Sequence, residues 1–176
     1  GPPARVLASA PRDPSLLLVG SSGALYRSSD AAQSWSPSSP SATSADAAAL
    51  LFRDDGDDGN DTLHVGLLGA GIVRSDDGGR SFTPASRGLN ASFVTALAVD
   101  PADAAVVYAG TGTAAARFGP VSPGPVGGLF RSVDGGRSWQ ALRPDAPAGE
   151  ITGLAVDAAS PGVVFATHEI EGDLRS

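Results

Sequence analysis

The chain has 176 residues, 41% of them hydrophobic, and a formal net charge of −7. Its 12 basic residues are all arginine and are spread along the chain, so a phosphate backbone would be repelled and a nucleic-acid partner is disfavoured. No apolar run approaches the roughly 20 residues of a membrane helix, and we expect no membrane insertion. The absence of cysteine excludes disulfides and thiolate metal sites and leaves the compartment undecided.

The predicted elements are short strands rather than helices. The chain holds 23 glycines and 14 prolines, and its apolar residues follow no helical period, which together favour an all-β fold with many turns. Each repeated unit contains three short apolar runs before a repeated motif and one run at or after it, which gives four strands per unit. The predicted first strands are Arg5–Ala8, Ala48–Phe52, Val94–Val99 and Ile151–Val156; the second are Leu16–Val19, Leu63–Leu67, Val106–Gly110 and Val163–Thr167; the third are Ala24–Arg27, Gly71–Arg74, Gly128–Arg131 and Asp173–Arg175.

One motif follows the third strand of each complete unit and recurs about every 50 residues, a period typical of stacked supersecondary units. Its aspartate and serine side chains can bond the backbone of a turn, its glycine permits positive φ, and its aromatic residue can anchor the turn on the neighbouring unit. Ala32 replaces the glycine in the first copy, at a cost of about 1 kcal/mol if that position is left-handed. The residues assigned to this structural role are Ser28, Asp30, Trp35, Ser75, Asp77, Gly79, Phe82, Ser132, Asp134, Gly136 and Trp139.

The repeated unit predicts a β-propeller of four-stranded antiparallel blades, with about three and a half blades present. The approximate blade limits are 1–40, 41–88, 89–145 and an incomplete blade at 146–176, with no separate second domain. The motif begins a further copy at Arg175, and the chain opens at Gly1 without methionine or a leader. We therefore expect a fragment of a longer protein, whose remaining blades would pack against this segment.

The motif resembles the Asp-box, or BNR repeat, of sialidases, two-domain xyloglucan-cleaving glycosidases, sortilin-type receptors and the photosystem II assembly-factor group. The resemblance covers nearly the whole chain and implies a propeller that closes with six or more blades. It also implies that the motif is a folding device far from any active site, so Asp30, Asp77 and Asp134 are assigned no catalysis. Secretion or a cell-envelope location is implied by the resemblance alone.

Two loops on the edge opposite the motif are candidates for ligand binding. The first, at 111–127, carries Arg117 and Phe118; its alternative interpretation is an insertion without function. The second contains His168, Glu169 and Glu171, which could coordinate a metal or act as acid and base, or could form the solvated end of a strand.

The acidic run at 54–61 suggests calcium, with Asp55, Asp57 and Asp61 as the ligands. Its spacing matches no complete calcium loop, and a solvated hairpin turn is the alternative interpretation. No other cofactor is predicted.

Three functions remain open. The first hypothesis is a scaffold or binding surface for a protein or glycan, with no catalytic residue in this segment. The second is part of a secreted glycoside hydrolase of the xyloglucan-cleaving type; a sialidase is less favoured, since its Arg-Ile-Pro signature is missing and Tyr26 and Tyr108 lie in strands. The third is a photosystem assembly role, which the acidic charge disfavours.

Overall fold

The computed structural model describes residues 4–38, 45–54, 61–112, 127–142, 149–160 and 162–169. Within these ranges the fold is all-β, and none of the described residues forms a helix able to cross a membrane. The first sheet contains β1 (Val6–Ser9), β2 (Leu17–Ser21), β3 (Ala24–Ser28) and β4 (Ser36–Pro37); the second contains β5 (Ala47–Asp54), β6 (Asp61–Leu67), β7 (Gly71–Ser75) and β8 (Thr83–Pro84); the third contains β9 (Phe93–Asp100), β10 (Asp103–Gly112), β11 (Leu129–Ser132) and β12 (Gln140–Ala141); the fourth contains β13 (Glu150–Val156) and β14 (Val164–Glu169).

Each sheet is an antiparallel meander in which neighbouring strands follow chain order. The strands are rich in β-branched and aromatic residues, which suit a pleated, half-buried surface. The prediction of four-stranded antiparallel propeller blades is confirmed by three complete sheets. In the fourth, the strand predicted at Asp173–Arg175 lies outside the described residues.

Two apolar clusters hold neighbouring sheets together. The first lies between the first two sheets and includes Leu18, Leu63 and Val65, each 0% exposed. The second lies between the second and third sheets and includes Ile72 and Val107, also 0% exposed. Complete burial of one such side chain contributes about 1.5–3 kcal/mol, so these contacts between sheets are a main source of stability.

Neighbouring sheets approach one another closely near the start of the first strand of each following sheet. A glycine of the second strand leaves no room there for a side chain, since an added Cβ would lie 2.5–2.7 Å from an atom of the next sheet. This close approach explains why a glycine recurs in the second strand of each of the first three sheets. The pairs are Gly20 with Ala47, Gly66 with Val94, and Gly110 with Ile151.

The meanders give the molecule two distinct edges. Turns between first and second strands and between third and fourth strands share one edge, here called the turn face, because successive strands are antiparallel. Turns between second and third strands, and the connectors between sheets, share the opposite edge, here called the loop face. Candidate sites can therefore be assigned to a face from topology alone.

Candidate functional site

The three repeated motifs form turns of nearly identical hydrogen bonding, here called the Ser-Asp turns (28–35, 75–82 and 132–139). In the second, the Ser75 hydroxyl donates to Asp77 Oδ1 at 2.8 Å and accepts from the Gly79 backbone N–H at 2.8 Å. Asp77 Oδ1 also accepts from the Ser81 N–H at 2.9 Å, and Oδ2 accepts from the Ser81 hydroxyl at 2.6 Å. The same bonds recur around Asp30 and Asp134.

These bonds keep the aspartates ionised. Partial burial raises the pKa of Asp77 and Asp134, but the hydrogen bonds from the serines outweigh it and lower each pKa to about 2. At Asp30 the hydrogen bonds from Ser34 are the main cause, and they lower its pKa to about 2 as well. Carboxylates with this pKa, and with both oxygens bonded to their own turn, are unsuited to exchange protons with a substrate near neutral pH.

The backbone of the turns requires positive φ at two successive residues. Gly135 and Gly136 have φ of 69° and 79°, where glycine is unstrained. Ala31 and Ala32 have φ of 55° and 69° at the equivalent places, so the first turn carries alanine in the left-handed region. Ala32 is therefore left-handed, which is the condition under which alanine in place of glycine is expected to cost about 1 kcal/mol.

Each following turn is bonded to the preceding sheet through its backbone carbonyls. Arg27 Nε donates to the Gly78 carbonyl at 2.8 Å, and the Ser38 hydroxyl donates to the Gly79 carbonyl. Gly79 also lies against Leu18, since an added Cβ would be 3.1 Å from its methyl carbons. The Ser-Asp turns are thus contact points between sheets.

His64 occupies in the second sheet the place that Leu18 holds in the first. It is 0% exposed, and its Nε2 lies 3.0 Å from the Gly135 carbonyl, to which it donates. Burial lowers the pKa of His64 to about 3, assisted by the guanidinium groups of Arg53 and Arg74. The ring is therefore neutral and helps to hold the third Ser-Asp turn on the second sheet. Its Nδ1 has no hydrogen-bond partner in the described part of the chain.

The aromatic residues of the turns differ in burial. Trp139 is 3% exposed, packs in the second cluster and donates from Nε1 to the Ala85 carbonyl at 2.8 Å. Phe82 packs against the first cluster. Trp35 is 40% exposed, so the expected anchoring of the aromatic residue is met less fully in the first sheet, where no preceding sheet is described.

On the loop face, a hollow of about 420 Å³ opens between the β6–β7 turn and the β8–β9 connector. Backbone bonds fix its two walls together, because the N–H groups of Gly69 and Gly71 both donate to the Ser92 carbonyl, at 3.1 and 2.8 Å. The Ser86 hydroxyl joins the walls again by accepting from the Ile72 N–H at 2.8 Å. The hollow is lined by Gly69, Ala70, Gly71, Ser86, Leu89, Asn90, Ala91 and Ser92.

Sequence reasoning missed this hollow and the aromatic residue beside it. Phe93 begins β9 and is partly exposed, and an added Cβ on Gly69 would lie 3.7 Å from its ring. The signal available in the sequence was an aromatic residue one position before the buried Val94, where strand alternation turns it to the other side.

The predicted ligand-binding residues are only partly placed. Arg117, Phe118 and Glu171 lie outside the described residues. His168 is exposed and lies within β14 opposite Ile151, and Glu169 ends that strand opposite Glu150. The second strand of this unit therefore runs two residues further than predicted, and His168 belongs to a strand rather than to a loop.

The predicted calcium ligands are likewise only partly placed. Asp55 and Asp57 lie outside the described residues. Asp61 is 6% exposed, and its Oδ2 accepts from the Arg12 backbone N–H at 3.0 Å, which ties the first two sheets together on the turn face. Among the residues with described positions, no group of three or more histidine, aspartate or glutamate side chains is arranged to hold a metal ion.

Together, the sheets and turns define the chain as a β-propeller segment. It matches no protein-family model and no curated protein. Among solved structures, it is similar to an ancestral GH74 enzyme, with a TM-score of 0.73 and 20% identity over 94% of this chain and 22% of that one. A GH74 enzyme from Niastella koreensis gives a TM-score of 0.73 and 19% identity over 91% of this chain and 24% of the other. YCF48 from Cyanidioschyzon merolae gives a TM-score of 0.59 and 16% identity over 98% of this chain and 57% of the other. The chain thus spans from about a fifth to just over half of these structures, and at such identities the likeness establishes the fold.

Proposed function

We propose that this chain is a segment of an Asp-box propeller whose loop face binds a glycan or protein ligand, while its Ser-Asp turns serve the fold. The observation that carries this proposal is the uncharged lining of the hollow of about 420 Å³ on the loop face. A hollow of about 450 Å³ on the turn face is lined by charged residues of the fold, among them Arg53, Asp134 and Arg137. The division of roles is supported by the turns themselves, because the carboxylate oxygens of Asp77 and Asp134 are bonded within their own turns.

The chemistry of the hollow favours a neutral ligand. Its lining offers the Ser92 hydroxyl, the Asn90 amide and backbone groups, and it contains no charged side chain. Partly exposed Phe93 stands beside it, and an aromatic ring next to hydroxyl and amide groups suits a sugar, which has both apolar and polar faces. A neutral oligosaccharide is therefore the first ligand to test, and an uncharged peptide is the second.

The rival function is part of a secreted glycoside hydrolase of the xyloglucan-cleaving type. Such catalysis needs two carboxyl groups at a defined separation across a cleft. Asp46, a carboxylate of the described loop face, is instead 3.2 Å from Arg5 NH1 and accepts from the Gly23 N–H at 2.8 Å. Glu150 and Glu169 are register partners at the loop-face ends of β13 and β14. In the rival case the acid pair would come from these strand ends, from residues beyond those described, or from further blades.

We also propose that further blades pack against this segment in a longer protein. The first sheet supports this, since Leu7 is 62% exposed and Trp35 is 40% exposed. Leu7 and Val19 are paired across strands, as are Leu50 and Val65 in the second sheet, where the equivalent surface packs against a neighbouring sheet.

The test is binding to a panel of neutral oligosaccharides, including xyloglucan fragments, and of uncharged peptides. Asn90→Trp would fill the hollow and is expected to weaken binding by at least about tenfold, equivalent to 1.4 kcal/mol. Ala102→Trp is the matched control, because Ala102 is exposed in the β9–β10 turn on the turn face. It should leave the affinity unchanged.

Two outcomes would contradict the proposed site: absence of binding to every member of the panel, or equal weakening by the two tryptophan variants. Release of reducing sugar by the full-length protein, measured on the same oligosaccharides, separates the rival function from binding alone. Unfolding in urea would verify that both variants retain the wild-type fold.

A further inference from the structure

Both asparagines of the chain stand in the pattern Asn-x-Ser/Thr with x other than proline, at Asn60-Asp-Thr62 and Asn90-Ala-Ser92. This pattern is the acceptor for N-linked glycosylation. Serine and threonine make up about one residue in six, so chance would place both asparagines in it about once in 40 chains of this composition. Two such patterns at the only two asparagines of the sequence are therefore more than this composition would commonly give by chance.

Asn90 has no structural role that would explain asparagine at its position. Asparagine is favoured in loops because it adopts positive φ or bonds the neighbouring backbone through its side chain. Asn90 does neither: among the described non-glycine residues positive φ occurs at Ala31 and Ala32, and the Asn90 side chain makes no hydrogen bond with the described residues. It is exposed to solvent.

The loop that carries Asn90 is held by backbone atoms and by another side chain. The Leu89 N–H donates to the Ser86 carbonyl at 2.9 Å, and the Ser92 carbonyl accepts from two N–H groups of the β6–β7 turn. The Ser92 hydroxyl is exposed and takes no part in the hydrogen bonds of the described chain. Both chemical groups of the motif, the amide and the hydroxyl two residues later, are therefore accessible and not needed for the fold.

The space around Asn90 suits an attached sugar. The side chain stands on the loop face at the border of the hollow of about 420 Å³. A glycan attached there would extend into solvent from a connector between two sheets and would displace no core residue. Asn60 lies outside the described residues, so the structural argument concerns Asn90 alone.

We propose that Asn90 is an N-glycan attachment site. The reaction joins the side-chain amide nitrogen to C1 of the first sugar of a lipid-diphosphate-linked oligosaccharide. The C1–oxygen bond to the diphosphate breaks, the lipid diphosphate leaves, and the amide loses one proton to a base. No electrons are transferred, and Ser92 supplies the hydroxyl by which the acceptor is recognised.

The experiment uses the full chain, secreted by a eukaryotic host, together with the protein isolated from its source. Trypsin cleaves after Arg87 and Arg117, so the peptide 88–117 reports Asn90 separately from the peptide 54–74, which contains Asn60. Release of the glycan by a peptide amidase in heavy-oxygen water converts the modified asparagine to labelled aspartate, which mass spectrometry detects. Label at Asn90 in both preparations is the expected result.

Three variants test the motif. Asn90→Gln and Ser92→Ala should abolish the label in peptide 88–117, whereas the conservative Ser92→Thr should retain it. An unmodified peptide 88–117 in either wild-type preparation would overturn the proposal, as would label in that peptide from Ser92→Ala at the wild-type level. A glycan on Asn90 would stand at the hollow that the proposed function assigns to a ligand, so ligand binding is measured on unglycosylated protein from a bacterial host. Binding by that protein supports the ligand site whether or not peptide 88–117 carries the label in the other preparations, so the two proposals can fail separately.

Discussion

Replacing the second glycine of a Ser-Asp turn by alanine should have very different costs in the second and third turns. Gly79 and Gly136 have similar φ, of 83° and 79°, so the backbone strain introduced by a Cβ, about 1–2 kcal/mol, is shared. Their surroundings differ. The Cβ of Gly79→Ala would be 3.1 Å from the methyl carbons of Leu18, at the end of a flexible side chain, whereas that of Gly136→Ala would be 2.2 Å from His64 Nε2.

The ring of His64 cannot move away cheaply, because it is 0% exposed and donates to the Gly135 carbonyl at 3.0 Å. Overpacking adds about 1–3 kcal/mol, and loss of that hydrogen bond adds about 1 kcal/mol. Gly79→Ala should therefore cost about 1–2 kcal/mol of unfolding free energy, and Gly136→Ala about 3–6 kcal/mol.

Urea unfolding of the two variants measures the difference, provided that the slope of free energy against urea stays constant. Combining Gly136→Ala with His64→Leu, which copies the Leu18 environment, should bring the cost of the alanine down to that of Gly79→Ala in a double-mutant cycle. If the unfolding free energies of Gly136→Ala and Gly79→Ala differ by less than about 0.5 kcal/mol, the usual error of such comparisons, the buried His64 ring does not resist the added Cβ.

Two pH-dependent effects should also be measurable. The pKa of His64 is lowered to about 3 in the fold, so the unfolded chain binds a proton at higher pH than the folded chain does. The free energy of unfolding should therefore fall as the pH drops from about 6.5 towards 4.5, by up to about 1.4 kcal/mol per pH unit. Urea titrations should show a weaker pH dependence of that free energy for His64→Leu, and an equal dependence would contradict the buried neutral ring. The pKa of Asp134 is lowered to about 2, so its contribution to the free energy of unfolding is complete above pH 4 and is lost between about pH 4 and 2. Asp134→Asn should lower stability at pH 7 and weaken the pH dependence below pH 4. A variant as stable as wild type at pH 7 would show that the bonds to Ser138 contribute nothing.

The strand pattern and the turn chemistry could be predicted because both are local. Alternation of side chains along Val94–Val99 identifies a strand, and the spacing of Ser132, Asp134 and Gly136 is that of a turn whose side chains bond their own backbone. The sequence supports a positive φ at Ala32 only as a condition, on the ground that its equivalents in the other turns are glycines, and the structure meets that condition.

Features that depend on contacts between sheets could not be predicted. The sequence places His64 in a strand, but the burial of its ring under Gly136 depends on how the third sheet is positioned. The hollow on the loop face depends in the same way on two loops that are distant in sequence and joined through Ser92. The strand containing His168 continues past the expected boundary because pairing with β13 extends to Glu150, a partner that local propensity does not reveal.

The Ser-Asp turns bear on how a chain of this kind can be lengthened by duplication of its repeats. Each turn satisfies its carboxylate within eight residues. The second and third turns contact the preceding sheet through backbone carbonyls, glycine surfaces and one aromatic side chain, and the glycine lies against a leucine in one case and a histidine in the other. A duplicated stretch of about 50 residues would therefore contain both a Ser-Asp turn, which contacts the preceding sheet, and a strand surface able to contact the turn of the next sheet. Tandem copying of one gene segment could thus lengthen the protein without requiring matched changes in the copies on either side.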